Sequence, residues 1–157
     1  MKKIKVLSCI VTVALMALIF FFSSQTAEAS SKTSSGITQK IAEFIAYITN
    51  WGNVEEITLA IHKLIRKTAH FTLFFMLSLS VANSVFQLFR TERLKLFVIT
   101  SGFCFFYAIT DEIHQMFVPG RAAMIKDVVI DLAGAMIGAG MFLLIRYLYK
   151  RRKENAV

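Results

Sequence analysis

The sequence predicts an all-α integral membrane bundle of four transmembrane helices, with one or two amphipathic surface helices between the first and the second. Three observations carry that class. Apolar residues make up 56% of the 157 and the mean hydropathy is +0.60, and they come in long uncharged blocks rather than in alternation. One Pro and seven Gly leave few turn formers for an all-β chain. Basic residues sit beside the blocks, as anchors at a membrane edge do. The length fits a single domain, residues 1–157.

The formal charge of +8 raises nucleic acid as a partner, but no basic stripe interleaved with aromatics is present, so none is expected. The expected surroundings are a lipid bilayer. Cys9 and Cys104 fall at unmatched depths in two apolar blocks, so no disulfide is expected between them.

The first block, residues 6–22, follows three lysines and runs 17 residues without a charge. At ~1.5 Å per residue it reaches about 25 Å, enough to cross a bilayer core. Ala27-Glu28-Ala29 downstream resembles a signal-peptide cleavage site, but the run is long for such a segment and is read as a retained helix. A Ser/Thr-rich loop follows. Ile37, Ile41, Phe44, Ile45 and Ile48 then recur at helical spacing. A second amphipathic pattern covers about 54–67, and Tyr47 and Trp51 between the two read as interfacial aromatics. Residues 37–67 form the outer amphipathic region. The remaining spans are expected at about 68–89, 96–110 and 128–148, with a basic turn at 90–95 and a basic tail.

Charge sets the orientation. With the N-terminus inside, the inner face collects eleven cations and two acids, a net of +9; the outer face collects seven cations and eight acids, a net of −1. The excess of Lys and Arg predicts both termini in the cytoplasm. Four segments far apart in sequence then deliver unusual polar residues to the outer end. They are Ser23-Ser24-Gln25, Arg66-Lys67-Thr68-Ala69-His70, Asp111-Glu112-Ile113-His114-Gln115, and Asp127 with Asp131.

Spacing within these segments is informative. Arg66 and His70 share a helix face, as do Asp127 and Asp131, whose face continues to Ala135 beside Gly134 and to Gly138. Gly134 and Gly138 form a small-xxx-small pair that lets helices approach closely. Asp131 lies about one turn inside its span, where an unpaired carboxylate costs roughly 2.5 kcal/mol or more. Arg66, Arg121 and His70 are its expected partners. If Asp111 to Gln115 prolong the third span, Tyr107, Asp111 and His114 face one way. Phe117-Val118-Pro119-Gly120-Arg121 reads as a tight turn of type II, which either aims Arg121 back at the bundle or leaves it solvated.

Phe22-Ser23-Ser24-Gln25, Arg66-Lys67-x-x-His70-Phe71, the run from Asp111-Glu112 through His114-Gln115 to Phe117-Val118-Pro119-Gly120-Arg121, and Asp127-x-x-x-Asp131-x-x-Gly134 together resemble the motif set of the VanZ-like family. They match in order and spacing over roughly residues 22–138. Where the family often has an aromatic three residues after His-Phe, this chain carries Phe74. The resemblance implies a small multi-pass bacterial membrane protein and marks the motif positions as functional without assigning roles. The family is named for a member associated with resistance to teicoplanin, a lipid-bearing glycopeptide that acts on the cell wall.

The residues leave three classes of function open. In the first, Arg66, Lys67 and Arg121 hold the anionic group of a lipid or lipid-linked envelope component. His70, His114, Asp111 and Glu112 then stand as candidate acids and bases, and Gln115, Asp127, Asp131, Ser24 and Gln25 as further binding residues. No nucleophile is marked. In the second class His70, His114, Asp111 and Asp127 ligate a metal, but no compact ligand motif is present, and no residue is assigned as a metal ligand. In the third the cluster only locks the bundle, and the surface helices engage a protein partner that the sequence does not name. Charge gathered at one end of so small a bundle argues against a transport pathway.

Overall fold

The computed structural model describes residues 2–26, 35–49 and 53–155. Trp51, Ala27-Glu28-Ala29 and most of the Ser/Thr-rich segment lie outside these. Five helices account for nearly all of the described residues: α1 (Lys2–Ser23), α2 (Ser35–Thr49), α3 (Val54–Phe89), α4 (Arg93–Gln115) and α5 (Ile125–Glu154). Four of them, all but α2, are long and apolar enough to cross a membrane, and only 17% to 33% of each apolar stretch is buried within the protein. The rest of that apolar surface is what lipid would cover.

One element differs from the expectation. The amphipathic pattern of 54–67 is not a separate surface helix; it runs into the second span as the single 36-residue α3, about 54 Å long at 1.5 Å per residue. The sequence between the two parts contains neither Gly nor Pro, so nothing interrupts the backbone ladder. Asn53 caps its start by accepting from the Glu55 N–H, with Glu55 and Glu56 in the first turn facing the positive end of the helix dipole. Arg90 ends it in the left-handed conformation, φ 45°. The surface helix that does exist, α2, buries Ala42 and Thr38, and its Thr38 hydroxyl is 3.3 Å from His62 Nε2 of α3.

The core lies where α1, α3, α4 and α5 meet, around Ile19, Phe74, Leu77, Val81, Cys104, Ala108 and Ala135. Both cysteines are free thiols. On the half nearer the 90–92 turn, α1 and α3 are joined by polar side chains. Asn83 and Gln87 both donate to Ser8 Oγ, at 2.8 and 3.1 Å, and Thr12 Oγ1 lies 2.9 Å from Ser80 Oγ. An interhelical hydrogen bond in lipid is worth about 0.6 kcal/mol on average and up to ~1.7. Asn83→Ala is therefore expected to lower stability by about 1 kcal/mol, read as a small drop in thermal unfolding temperature in detergent.

Close approach of α5 to α3 follows from the predicted glycines. A Cβ added at Gly134 would collide with the Phe71 backbone oxygen, and one at Gly138 would lie 2.5 Å from the Phe75 oxygen. Between them the Ser78 hydroxyl donates to the Ala135 carbonyl at 2.5 Å. This packing sets the depth at which the residues of α5 face those of α3.

Candidate functional site

The polar residues meet at the end of the bundle away from the 90–92 turn. Helix α4 continues through Gln115, so the three residues that such an extension would align do share a face. That face turns toward α1 and carries three contacts. The Tyr107 hydroxyl donates to the Met16 carbonyl at 2.7 Å, Asp111 Oδ2 accepts from Ser23 Oγ at 2.8 Å, and His114 Nε2 lies 3.1 Å from Ser24 Oγ. His114 also stacks on Phe20 at 4.3 Å between ring centroids, so it stands against α1 and apart from His70.

Gln115 is the centre of the network. Its amide nitrogen donates to Asp111 Oδ2 at 2.8 Å and approaches Ser23 Oγ at 3.4 Å. Its amide oxygen accepts from Arg66 Nη2 and, at 3.4 Å, from Arg121 Nη1. Two guanidinium groups from distant segments thus share one carbonyl oxygen. The expected turn delivers the second of them. The Arg121 N–H donates to the Val118 carbonyl at 3.1 Å and Gly120 has φ 76°, the geometry of a type II turn. Arg121 Nη2 also donates to the Phe22 carbonyl at 3.1 Å, while its buried Nε has no acceptor among the described residues. Burial, then the neighbouring Arg66, lowers the Arg121 pKa to about 10, which still leaves it a cation at neutral pH.

The face of α3 that carries Arg66 and His70 meets the face of α5 that carries Asp127 and Asp131. Lys67 Nζ is 3.0 Å from Asp127 Oδ1. His70 Nδ1 lies between two carboxylates, 3.8 Å from Asp131 Oδ2 and 3.9 Å from Asp111 Oδ2. Of the three partners expected for Asp131, His70 is the one beside it; Arg66 and Arg121 turn to Gln115 instead.

Glu112 serves the chain itself, since its Oε2 accepts from the Met124 N–H at 2.8 Å where α5 begins. A narrow cavity of about 10 Å³ opens among Arg66, Lys67, His70, Glu112, Asp127, Ile130 and Asp131. Gln25 stands outside the network: among the described residues its one hydrogen bond is from its backbone N–H to the Phe22 carbonyl. Ser23, buried and central, belongs to the Ser23-Ser24-Gln25 motif, of which only Ser24 and Gln25 are expected from the sequence as binding residues. Its own signal is weak, a single hydroxyl one turn after Ile19 on the face α1 turns to the bundle.

Compared with known protein families, residues 8–146 match VanZ/LLP1. Neither the curated proteins nor the solved structures compared gave a match.

Proposed function

The chain belongs to the VanZ/LLP1 family, and from that premise and its paired guanidinium groups we propose that its polar bundle end binds the anionic headgroup of a lipid-linked cell-envelope component. With its four spans, the family makes it a multi-pass membrane protein. In this reading it resides in the bacterial plasma membrane with both termini in the cytoplasm, as the charge distribution favours, and the site meets the outer leaflet.

The observation that carries the proposal is the convergence of Arg66 and Arg121 on one amide oxygen. Two like charges held together are unfavourable, and they leave most of their forked N–H donors unspent. Phosphate or carboxylate oxygens fit such a fork and would relieve the repulsion. The rim supports a lipid-borne ligand over a free anion. Phe117 and Ile125, 81% and 86% exposed, flank the loop that carries Arg121, with Met116 and Met124 also exposed. Apolar side chains of this kind enter a lipid interface readily.

A purely structural role has its own support, because Lys67–Asp127 and Glu112–Met124 are contacts that hold helices in place. Binding of the purified protein to vesicles containing phosphatidic acid, against vesicles of zwitterionic lipid alone, separates the two. Arg66→Gln and Arg121→Gln are each expected to weaken anionic binding about tenfold or more, as the loss of a charge-assisted hydrogen bond of ~1.5 to 3 kcal/mol would, with the protein still accumulating in membranes. Unchanged binding in both, or no preference for the anionic vesicle, would leave the cluster a structural lock. In cells, the matching expectation is raised teicoplanin tolerance on expression, lost in the same two variants.

A further inference from the structure

We propose that His70, Asp111 and Asp131 form a binding site for one divalent transition cation, of the Mn²⁺ or Zn²⁺ class, one helical turn deeper in the bundle than Arg66. Each residue offers one ligand atom, and the three lie within 4.8 Å of one another. They come from three different helices, α3, α4 and α5, so no compact sequence motif announces them.

The second observation is that the carboxylates are buried and unsatisfied. Asp131 is 0% exposed and neither of its oxygens has a hydrogen-bond partner among the described residues; Asp111 is 3% exposed and its Oδ1 has none there either. His70 Nδ1, at 3.8 and 3.9 Å, is too far from either to donate a normal hydrogen bond. Buried carboxylates of this kind are costly unless a cation or proton meets them. With His70 neutral, a divalent ion cancels their two charges, which a single imidazolium cannot do.

The geometry suits such an ion after a small closure. Donors ~2.1 Å from one metal stand ~3.4 Å apart at the tetrahedral angle, so rotamer adjustments bring the three into range. Asp111 is held in place beside His70: Ser23 Oγ and Gln115 Nε2 donate to its Oδ2 at 2.8 Å each, the oxygen 3.9 Å from His70 Nδ1, and its Oδ1 has no partner among the described residues. Support of this kind is what holds ligands in built metal sites. The adjoining cavity, at about 10 Å³, has room for about one water rather than for a substrate. One imidazole with two carboxylates favours Mn²⁺ or Zn²⁺ over Ca²⁺, which prefers about six to eight oxygens. The cation site does not depend on the proposed anion-binding reading.

The test uses the full chain in detergent, stripped with EDTA and titrated with MnCl₂, with free Mn²⁺ followed by electron paramagnetic resonance and with ZnCl₂ as competitor. One saturable site per chain is expected, competed by Zn²⁺ and weakened at least about 30-fold by Asp131→Asn and by His70→Gln, in the range seen when ligand support is removed. A rise in the thermal unfolding temperature of wild type on adding Mn²⁺ is also expected, and this needs no variant to fold. Absence of a saturable site in the stripped wild type overturns the proposal. So does wild-type affinity in folded Asp131→Asn and His70→Gln. The titration contains no lipid, and phosphatidic-acid vesicle binding can be read in the presence of EDTA, so either proposal can fail while the other stands.

Discussion

Leucine in place of Gly134 is expected to abolish accumulation of the chain in membranes. At this position α5 meets the backbone of α3, and even a methyl group would run into the Phe71 carbonyl oxygen. A backbone oxygen in a helix cannot step aside as a side chain can, so the helices must separate. Separation breaks the Ser78–Ala135 bond and moves Asp127 and Asp131 away from Lys67 and His70. Overpacking alone costs about 1 to 3 kcal/mol, and the lost contacts add to it. Gly134→Ala should give an intermediate loss. Gly140, with nothing within 4 Å of an added Cβ, is the control: Gly140→Ala is expected to be neutral or to stabilise by up to about 1 kcal/mol through helix propensity. Immunoblots of membrane fractions and thermal unfolding in detergent check the series. Equal accumulation of Gly134→Leu and Gly140→Ala would refute the close-packing account.

The second large effect is expected at Gln115. Gln115→Leu keeps a similar shape but removes the acceptor shared by Arg66 and Arg121 and a donor to Asp111. The contacts to Arg66 and Arg121 at about 0.6 to 1.7 kcal/mol each, with the i,i+4 bond to Asp111 at about 0.2 to 0.5, put the stability loss at roughly 1.5 to 4 kcal/mol. The functional loss should be larger, because the guanidinium groups then have nothing to hold them together and must separate. Binding to phosphatidic-acid vesicles is expected to fall more steeply for Gln115→Leu than for Arg66→Gln. Gln115→Asn, which keeps the amide on a shorter stem, should recover part of the stability and little of the binding. Binding by Gln115→Leu at the wild-type level would remove Gln115 from its central role.

Much of this arrangement is legible in the sequence. Four spans can be read because uncharged apolar runs of membrane length admit few other structures. The polar faces of α3 and α5 follow from i,i+4 spacing at Arg66/His70 and Asp127/Asp131, and the turn at Pro119-Gly120 from the φ preferences of its residues. What stays hidden depends on tertiary packing. Arg66 and Lys67 obscure the fusion of 54–67 with 68–89, because their charges look like a boundary in one dimension but face Gln115 and Asp127 in three. Asp131 has three plausible partners in the sequence because spacing along a helix gives direction and depth but not the neighbour across the gap. Ser23 stands in a polar motif, but its role stays hidden because a small hydroxyl has no signature of its own; it becomes central because Asp111, far along the chain, ends beside it.

Helix α3 is about 54 Å of uninterrupted helix where a hydrocarbon core is about 30 Å thick. Even a strongly tilted helix of that length carries a few turns past the hydrocarbon core. Those turns hold α2 through Thr38 and His62, and the same rod bears Arg66, Lys67 and His70 within the bundle. With no Gly or Pro to act as a joint, the protruding segment works as a lever arm fixed to the polar cluster. A sideways load on the α2–α3 hairpin arrives at Arg66 and His70 as displacement, and whatever steadies that hairpin also steadies them.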